Sequence, residues 1–181
     1  VLFISILFKY GAEAYANRGG GYPEGPIVNS SELYVSPTNV FYTSDIESED
    51  NLFSGVVLRH YINGKLLAKG GVKDGKLHGQ FDCWYENGQK KSAGLISQLH
   101  YLETGLWTYW YDNGNKQSEG HHKAEDGRDG EWRFWNSSGQ LICCGIHKGW
   151  CGDGLWEFWD NDGNKVHERK YTDLELLDVW K

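Results

Sequence analysis

The sequence predicts an all-β protein: an elongated, single-layer antiparallel sheet of about five tandem β-hairpins, with a short helix available to close its C-terminal end. Three observations predict it. Glycines recur at fixed intervals, aromatic residues alternate at period two between them, and Asn-Gly pairs fall where each segment must turn back.

Five segments align without gaps in their first half. They are GVVLRHYING from Gly55, GQFDCWYENG from Gly79, GLWTYWYDNG from Gly105, GEWRFWNSSG from Gly130 and GLWEFWDNDG from Gly154. In each copy a second glycine follows nine residues after the first: Gly64, Gly88, Gly114, Gly139 and Gly163. A third lies six residues further on, at Gly70, Gly94, Gly120 and Gly145, where the fifth copy has Arg169. Successive copies start 24, 26, 25 and 24 residues apart, so the length variation belongs to the linking loops.

Each copy reads as a hairpin. Trp107, Tyr109 and Tyr111 alternate along a first strand. Asn113-Gly114 suits a two-residue type I′ turn, in which both central residues need positive φ. Asn63-Gly64 and Asn87-Gly88 repeat it, while Ser138-Gly139 and Asp162-Gly163 suit a slightly wider turn. A two-residue turn sets Tyr111 opposite Lys116, Tyr109 opposite Ser118 and Trp107 opposite Gly120. The same rule pairs Val57 with Gly70, Phe81 with Gly94 and Trp132 with Gly145, and it sets Trp156 opposite Arg169 as a cation–π candidate. A ring can lie flat on the bare backbone of a glycine, which covers it and pins the register. Gly70, Gly94, Gly120, Gly145, Trp107, Trp132 and Trp156 are therefore the expected structural residues, and Gly120→Val is expected to displace Trp107.

The two strand faces differ. Trp107 and Tyr109, Trp132 and Phe134, and Trp156 and Phe158 make one face aromatic. The other face is polar apart from one tryptophan per copy: Trp84, Trp110, Trp135 and Trp159. These four are the candidate binding residues, because an exposed row of flat rings can serve as a ladder for a ligand. The competing expectation is that the rings stack on one another and on lysine stems, and so hold a sheet with no second layer. Ten strands at about 4.8 Å spacing make a sheet on the order of 45 Å long.

The ends are less regular. Residues 1–16 carry an apolar run and Ala14-Tyr15-Ala16, an order like that of a secretory signal. Export to the periplasm, the surface or the medium is expected if they act as one, and a cytoplasmic location otherwise. Residues 17–53 read as a linker, flexible over NRGGGYPEGP, followed by capping strands in LYVS and NVFYTS. The repeat array covers residues 54–173. Residues 174–181 form a C-terminal cap, in which Leu174, Leu177 and Trp180 have helical spacing.

The chain of 181 residues suits one domain of ordinary size. A net charge of −7 argues against nucleic-acid binding, which needs a basic face. The apolar run is too short to cross a bilayer, so membrane insertion is not expected. The cysteines are Cys83, Cys143, Cys144 and Cys151. Adjacent Cys143 and Cys144 point to opposite strand faces, so at most one of them reaches Cys151 in a disulfide; free thiols are the alternative. With His147 they fit no paired zinc-ligand spacing, so no metal is expected. The seven histidines are scattered, no phosphate-binding glycine loop precedes a helix, and no nucleophile or metalloprotease motif occurs. No catalytic residues, no cofactor and no enzyme activity are expected.

The unit G-x-W-x-[YF]-W-x-[ND]-x-G-[NQ]-K, followed by x-G and D-G-x-x-x-G, resembles the MORN-repeat variant of many bacterial proteins. GLWTYWYDNGNKQSEG and KDGKLHGQFDCWYENGQKKSAG carry the likeness best. With the upstream LYVSPTNVFYTS and LFSGVVLRHYINGKL, the chain is similar to the YwqK-type antitoxin family. The resemblance implies a MORN-like hairpin array that binds a protein, a basic toxin among the candidates, or acts as an immunity-type or envelope scaffold protein. The alternative is a carbohydrate or cell-envelope binding module using the tryptophan row. Charged loops and caps favour a monomer.

Overall fold

In the computed structural model, residues 22–36, 40–45, 47–97, 102–149 and 151–171 are described. Among the described residues thirteen strands form: β1 (Ile27–Asn29), β2 (Tyr34–Val35), β3 (Phe41–Tyr42), β4 (Gly55–His60), β5 (Leu66–Lys73), β6 (Lys76–Trp84), β7 (Lys90–Ile96), β8 (Glu103–Trp110), β9 (Lys116–Lys123), β10 (Gly127–Trp135), β11 (Leu141–Lys148), β12 (Cys151–Trp159) and β13 (Lys165–Tyr171). Eleven make one sheet in the order β1-β4-β5-β6-β7-β8-β9-β10-β11-β12-β13, and β2 pairs with β3 in a second, small sheet. The all-β hairpin architecture is the one expected. Its exception is β1, which joins β4 in parallel. A parallel neighbour needs a long return connection, and the capping segment that holds β2 and β3 supplies it.

The chain divides into two compact units, Val1–Gln89 with Leu95–Tyr101 and Lys90–Gly94 with Leu102–Lys181, each taken over its described residues. The first packs an aliphatic core of Ile27, Val56, Val57, Val72, Leu77 and Ile96 with Phe41 and Phe53. The Phe41 N–H donates to the Gly75 carbonyl at 2.8 Å, and the Gly75 N–H donates to the Phe53 carbonyl at 2.8 Å. The capping segment is thereby fixed to the β5–β6 turn. The end of the stretch read as a flexible linker is fixed too. The Tyr22 hydroxyl bonds the Asp82 carboxylate, Lys69 Nζ lies 3.9 Å from the Tyr22 ring centroid, and Pro23 abuts Gly71. The core of the second unit is Trp107, Trp132 and Trp156.

The hairpin turns correct the expected type. Gly114 donates to the Tyr111 carbonyl at 3.0 Å and Tyr111 donates to the Asn115 carbonyl at 2.9 Å. In this turn only Gly114 has positive φ, at 88°. This is a three-residue loop closed by a glycine bulge, not a two-residue turn. All five copies share it, with Gly64, Gly88, Gly139 and Gly163 in the same role. Register is recovered further along: Trp110 pairs with Lys116 but Tyr109 pairs with Ser118, so Gln117 is skipped, and Trp107 meets Gly120 as expected. The type I′ geometry occurs between copies instead, at Asp74 (φ 50°) and Gly75 (φ 73°).

The glycine that opens each copy also has a structural cause. At Gly130 and Gly154, φ is 71° and 65°, and the ladders shift register beside them. Each marks a bulge that turns the strand into its aromatic stretch. Residues 1–16 and the helical reading of residues 174–181 lie outside the described residues.

Candidate functional site

On the inner face of the second unit each indole lies flat on a glycine, but on the glycine of the preceding hairpin. A Cβ at Gly94 would stand under 3.0 Å from the Trp107 ring, one at Gly120 equally close to Trp132, and one at Gly145 to Trp156. The register expectation therefore holds, and the expected displacement of Trp107 by Gly120→Val is corrected: the ring on Gly120 is Trp132. Gly120 pairs with both Trp107 and Trp132, and Gly145 with both Trp132 and Trp156, yet the ring lying on each is that of the following strand. The indole N–H groups of Trp132 and Trp156 donate to the His121 and Ile146 carbonyls, each at 3.0 Å. Gly70 takes the same part in the first unit beneath Phe81. At the last copy Arg169 pairs with Trp156, and its guanidinium lies 4.9 Å from the Tyr171 ring centroid.

Tyr109 and Phe134 stack between the indoles, and two histidines stand edge-on to them. The His122 ring lies 5.0 Å from Trp132 and 6.4 Å from Trp107, and the His147 ring lies 5.0 Å from Trp156 and 6.1 Å from Trp132. Arg128 completes the cover, its guanidinium 4.3 Å from the Trp132 centroid and 5.3 Å from Phe134. These side chains stand where a second layer would otherwise be needed, and Trp132 is 0% exposed beneath them.

A polar group adjoins this stack. The Tyr109 hydroxyl donates to Glu103 Oε2 at 2.8 Å and stands 3.3 Å from His122 Nε2, which is 3.2 Å from the same carboxylate oxygen. Burial raises the Glu103 carboxyl above its ordinary value, against the Tyr109 hydrogen bond and Arg128, which lower it. Burial and the Glu103 charge push the Tyr109 phenol up, so it stays a donor. Burial, with Arg128 next, holds His122 down at about 4, so the imidazole is neutral at pH 7. Sequence reasoning missed Glu103, His122, Arg128 and His147. Two of them carried a signal: His122 and His147 both stand two residues beyond the recurring glycine.

The outer face of the second unit holds three of the predicted binding residues, Trp110, Trp135 and Trp159, and Trp84 belongs to the first unit. Trp84, Trp110, Trp135 and Trp159 are all half-buried. Lys90 Nζ lies 6.0 Å from the Trp110 ring centroid and Lys116 Nζ 5.6 Å from Trp135. The exposed apolar residues of this face in the second unit are others. Leu106, Ile146 and Leu155 are 49%, 46% and 48% exposed. Around them the charges pair internally: Lys116 with Glu119 at 2.7 Å, Arg133 with Glu131 at 2.8 Å, and Lys165 with Glu157 and Glu168.

All four cysteines are free thiols. Cys151 pairs across the ladder with Lys148, so Cys143 and Cys144 sit four or five residues back along β11, on the order of 15 Å away and beyond disulfide reach. Among the described residues, no three His, Cys, Asp or Glu side chains are grouped to hold a metal ion, and no helix is long and apolar enough to cross a membrane.

One hairpin of the second unit has a match among known families. Residues 103–124 match the family model of the MORN repeat variant. The matched stretch is the β8–β9 hairpin with Trp107, Tyr109, Gly120 and His122, and the other four copies repeat its turn. A search of curated proteins returns no match.

Proposed function

We propose that this chain is a non-catalytic repeat protein that binds a protein partner through its sheet, as an exported immunity or antitoxin-type protein or an envelope scaffold. The observation that carries the reading is the outer face of the second unit. Leu106, Ile146 and Leu155 offer apolar area there, and the neighbouring charges are already paired among themselves. Such a surface loses little when water is removed from it. Residues 54–171 carry equal numbers of acidic and basic residues, so the acidic excess lies outside the repeats, most densely at Asp45, Glu47, Glu49 and Asp50, and it favours a basic partner, as a nucleic-acid-attacking toxin would be. The MORN-variant match supports a non-catalytic repeat protein, and the antitoxin part of the reading rests on the sequence resemblance alone. Carbohydrate binding has less support, because Lys90 and Lys116 lie over the rings of Trp110 and Trp135 that a sugar would cover.

The test is partner capture with the full chain and with the triple variant Leu106→Lys, Ile146→Lys, Leu155→Lys. A basic protein held by the first and lost by the second, at unchanged circular dichroism, supports the proposal. Equal retention by both, or glycan binding abolished by Trp110→Ala, overturns it.

A further inference from the structure

The position two residues beyond the recurring glycine holds Val72 and Ile96 in the first unit, both buried. In the second unit it holds His122 and His147, seated edge-on between indoles. We infer that the second unit is an acid-sensitive lock, which opens when His122 and His147 take up protons inside their aromatic seats, while the first unit, with aliphatic residues in that position, stays closed. This goes beyond partner binding and does not depend on it.

The surroundings decide the direction. An indole face attracts a cation, but Arg128 already occupies that place over Trp132. A charge arriving on either histidine therefore meets a guanidinium. The ring nitrogens of His147 are shut off from water, with the Cys151 backbone alongside. The groups facing the pair are Glu103 and Tyr109 from β8, Arg128 from β10 and Cys143 from β11, with Tyr171 of β13 edge-on to Trp156. Two groups favour an imidazolium: the Cys151 backbone at His147 and, at His122, Glu103. The Glu103 carboxyl is raised by burial, and once protonated it leaves His122 without a counter-charge. Burial first and Arg128 second lower both histidines, His122 to about 4. An imidazole freed by unfolding has its ordinary value near 6.5, so the unfolded chain binds the protons first. The stabilisation is present above about pH 6.5 and drains away as pH falls toward 4.

The test follows amide hydrogen exchange of the full chain, corrected for intrinsic rates, from pH 7.5 to 3.5. The expected result is that β8–β11 lose protection below about pH 5 while β4–β6 keep theirs. The double variant His122→Ile, His147→Ile, which takes the Ile96 side chain, should move the midpoint down by about one pH unit. If that variant lacks native circular dichroism at pH 7.5, His122→Gln with His147→Gln is read in its place. Simultaneous loss of protection in both units, or an unmoved midpoint in the folded variant, overturns the inference.

Discussion

Trp132 rests on the bare backbone of Gly120, close enough that a Cβ there would stand under 3.0 Å from its ring. A wholly buried indole thus depends on a hydrogen atom in the preceding hairpin. Gly120→Val should cost about 2–4 kcal/mol, as overpacking and the exposure of an indole require. Urea unfolding gives the magnitude, and selective quenching of Trp132 shows which ring moved. A variant as stable as the parent would contradict the stacking.

A turn glycine should behave differently. Gly88 has φ at 92° and nothing within 4 Å of a built Cβ, so only backbone strain opposes a side chain. Gly88→Ala is expected to cost about 1 kcal/mol, and Gly88→Asn less, because asparagine tolerates that region. Paired urea midpoints check the order.

Successive hairpins are also tied at their tips. The Tyr111 hydroxyl donates to the Trp135 carbonyl at 2.9 Å. Removing it in Tyr111→Phe should cost about 1 kcal/mol and leave the fold intact. Thermal unfolding of the two proteins side by side measures it.

Cys143 should be a slow thiol. Burial, with Cys144 as a second cause, pushes it up to about 11. Alkylation by iodoacetamide at pH 8, followed by peptide mass spectrometry, should run roughly 100-fold slower at Cys143 in the native chain than in urea. Equal rates would mean that the thiol is open to water.

The hairpin register was legible because two independent offsets cancel. Asn113-Gly114 suggested a two-residue loop, and the real loop is one residue longer, but skipping Gln117 restores the pairing of Trp107 with Gly120. Spacing counts residues along the chain and cannot see a compensated bulge. Which indole covers which glycine was not legible for a related reason. Gly120 is paired with both Trp107 and Trp132, and register alone does not tell which ring lies on it. His122 and His147 were hidden by their type. A titratable residue reads as a surface residue, and Arg128, in a charged loop, gives no hint that it roofs an aromatic stack. Of the two expectations for the tryptophan row, the lysine stems are seen at Trp110 and Trp135, where Lys90 and Lys116 reach across from neighbouring strands.

Because Trp107, Trp132 and Trp156 each settle on a glycine made ready by the strand before, duplication of a hairpin has a direction. A copied segment can be received wherever its predecessor ends in glycine, as after Gly94, Gly120 or Gly145. At Arg169 the landing place is filled by a guanidinium folded onto Tyr171, so gene growth by tandem copying would stall there unless that codon reverted first.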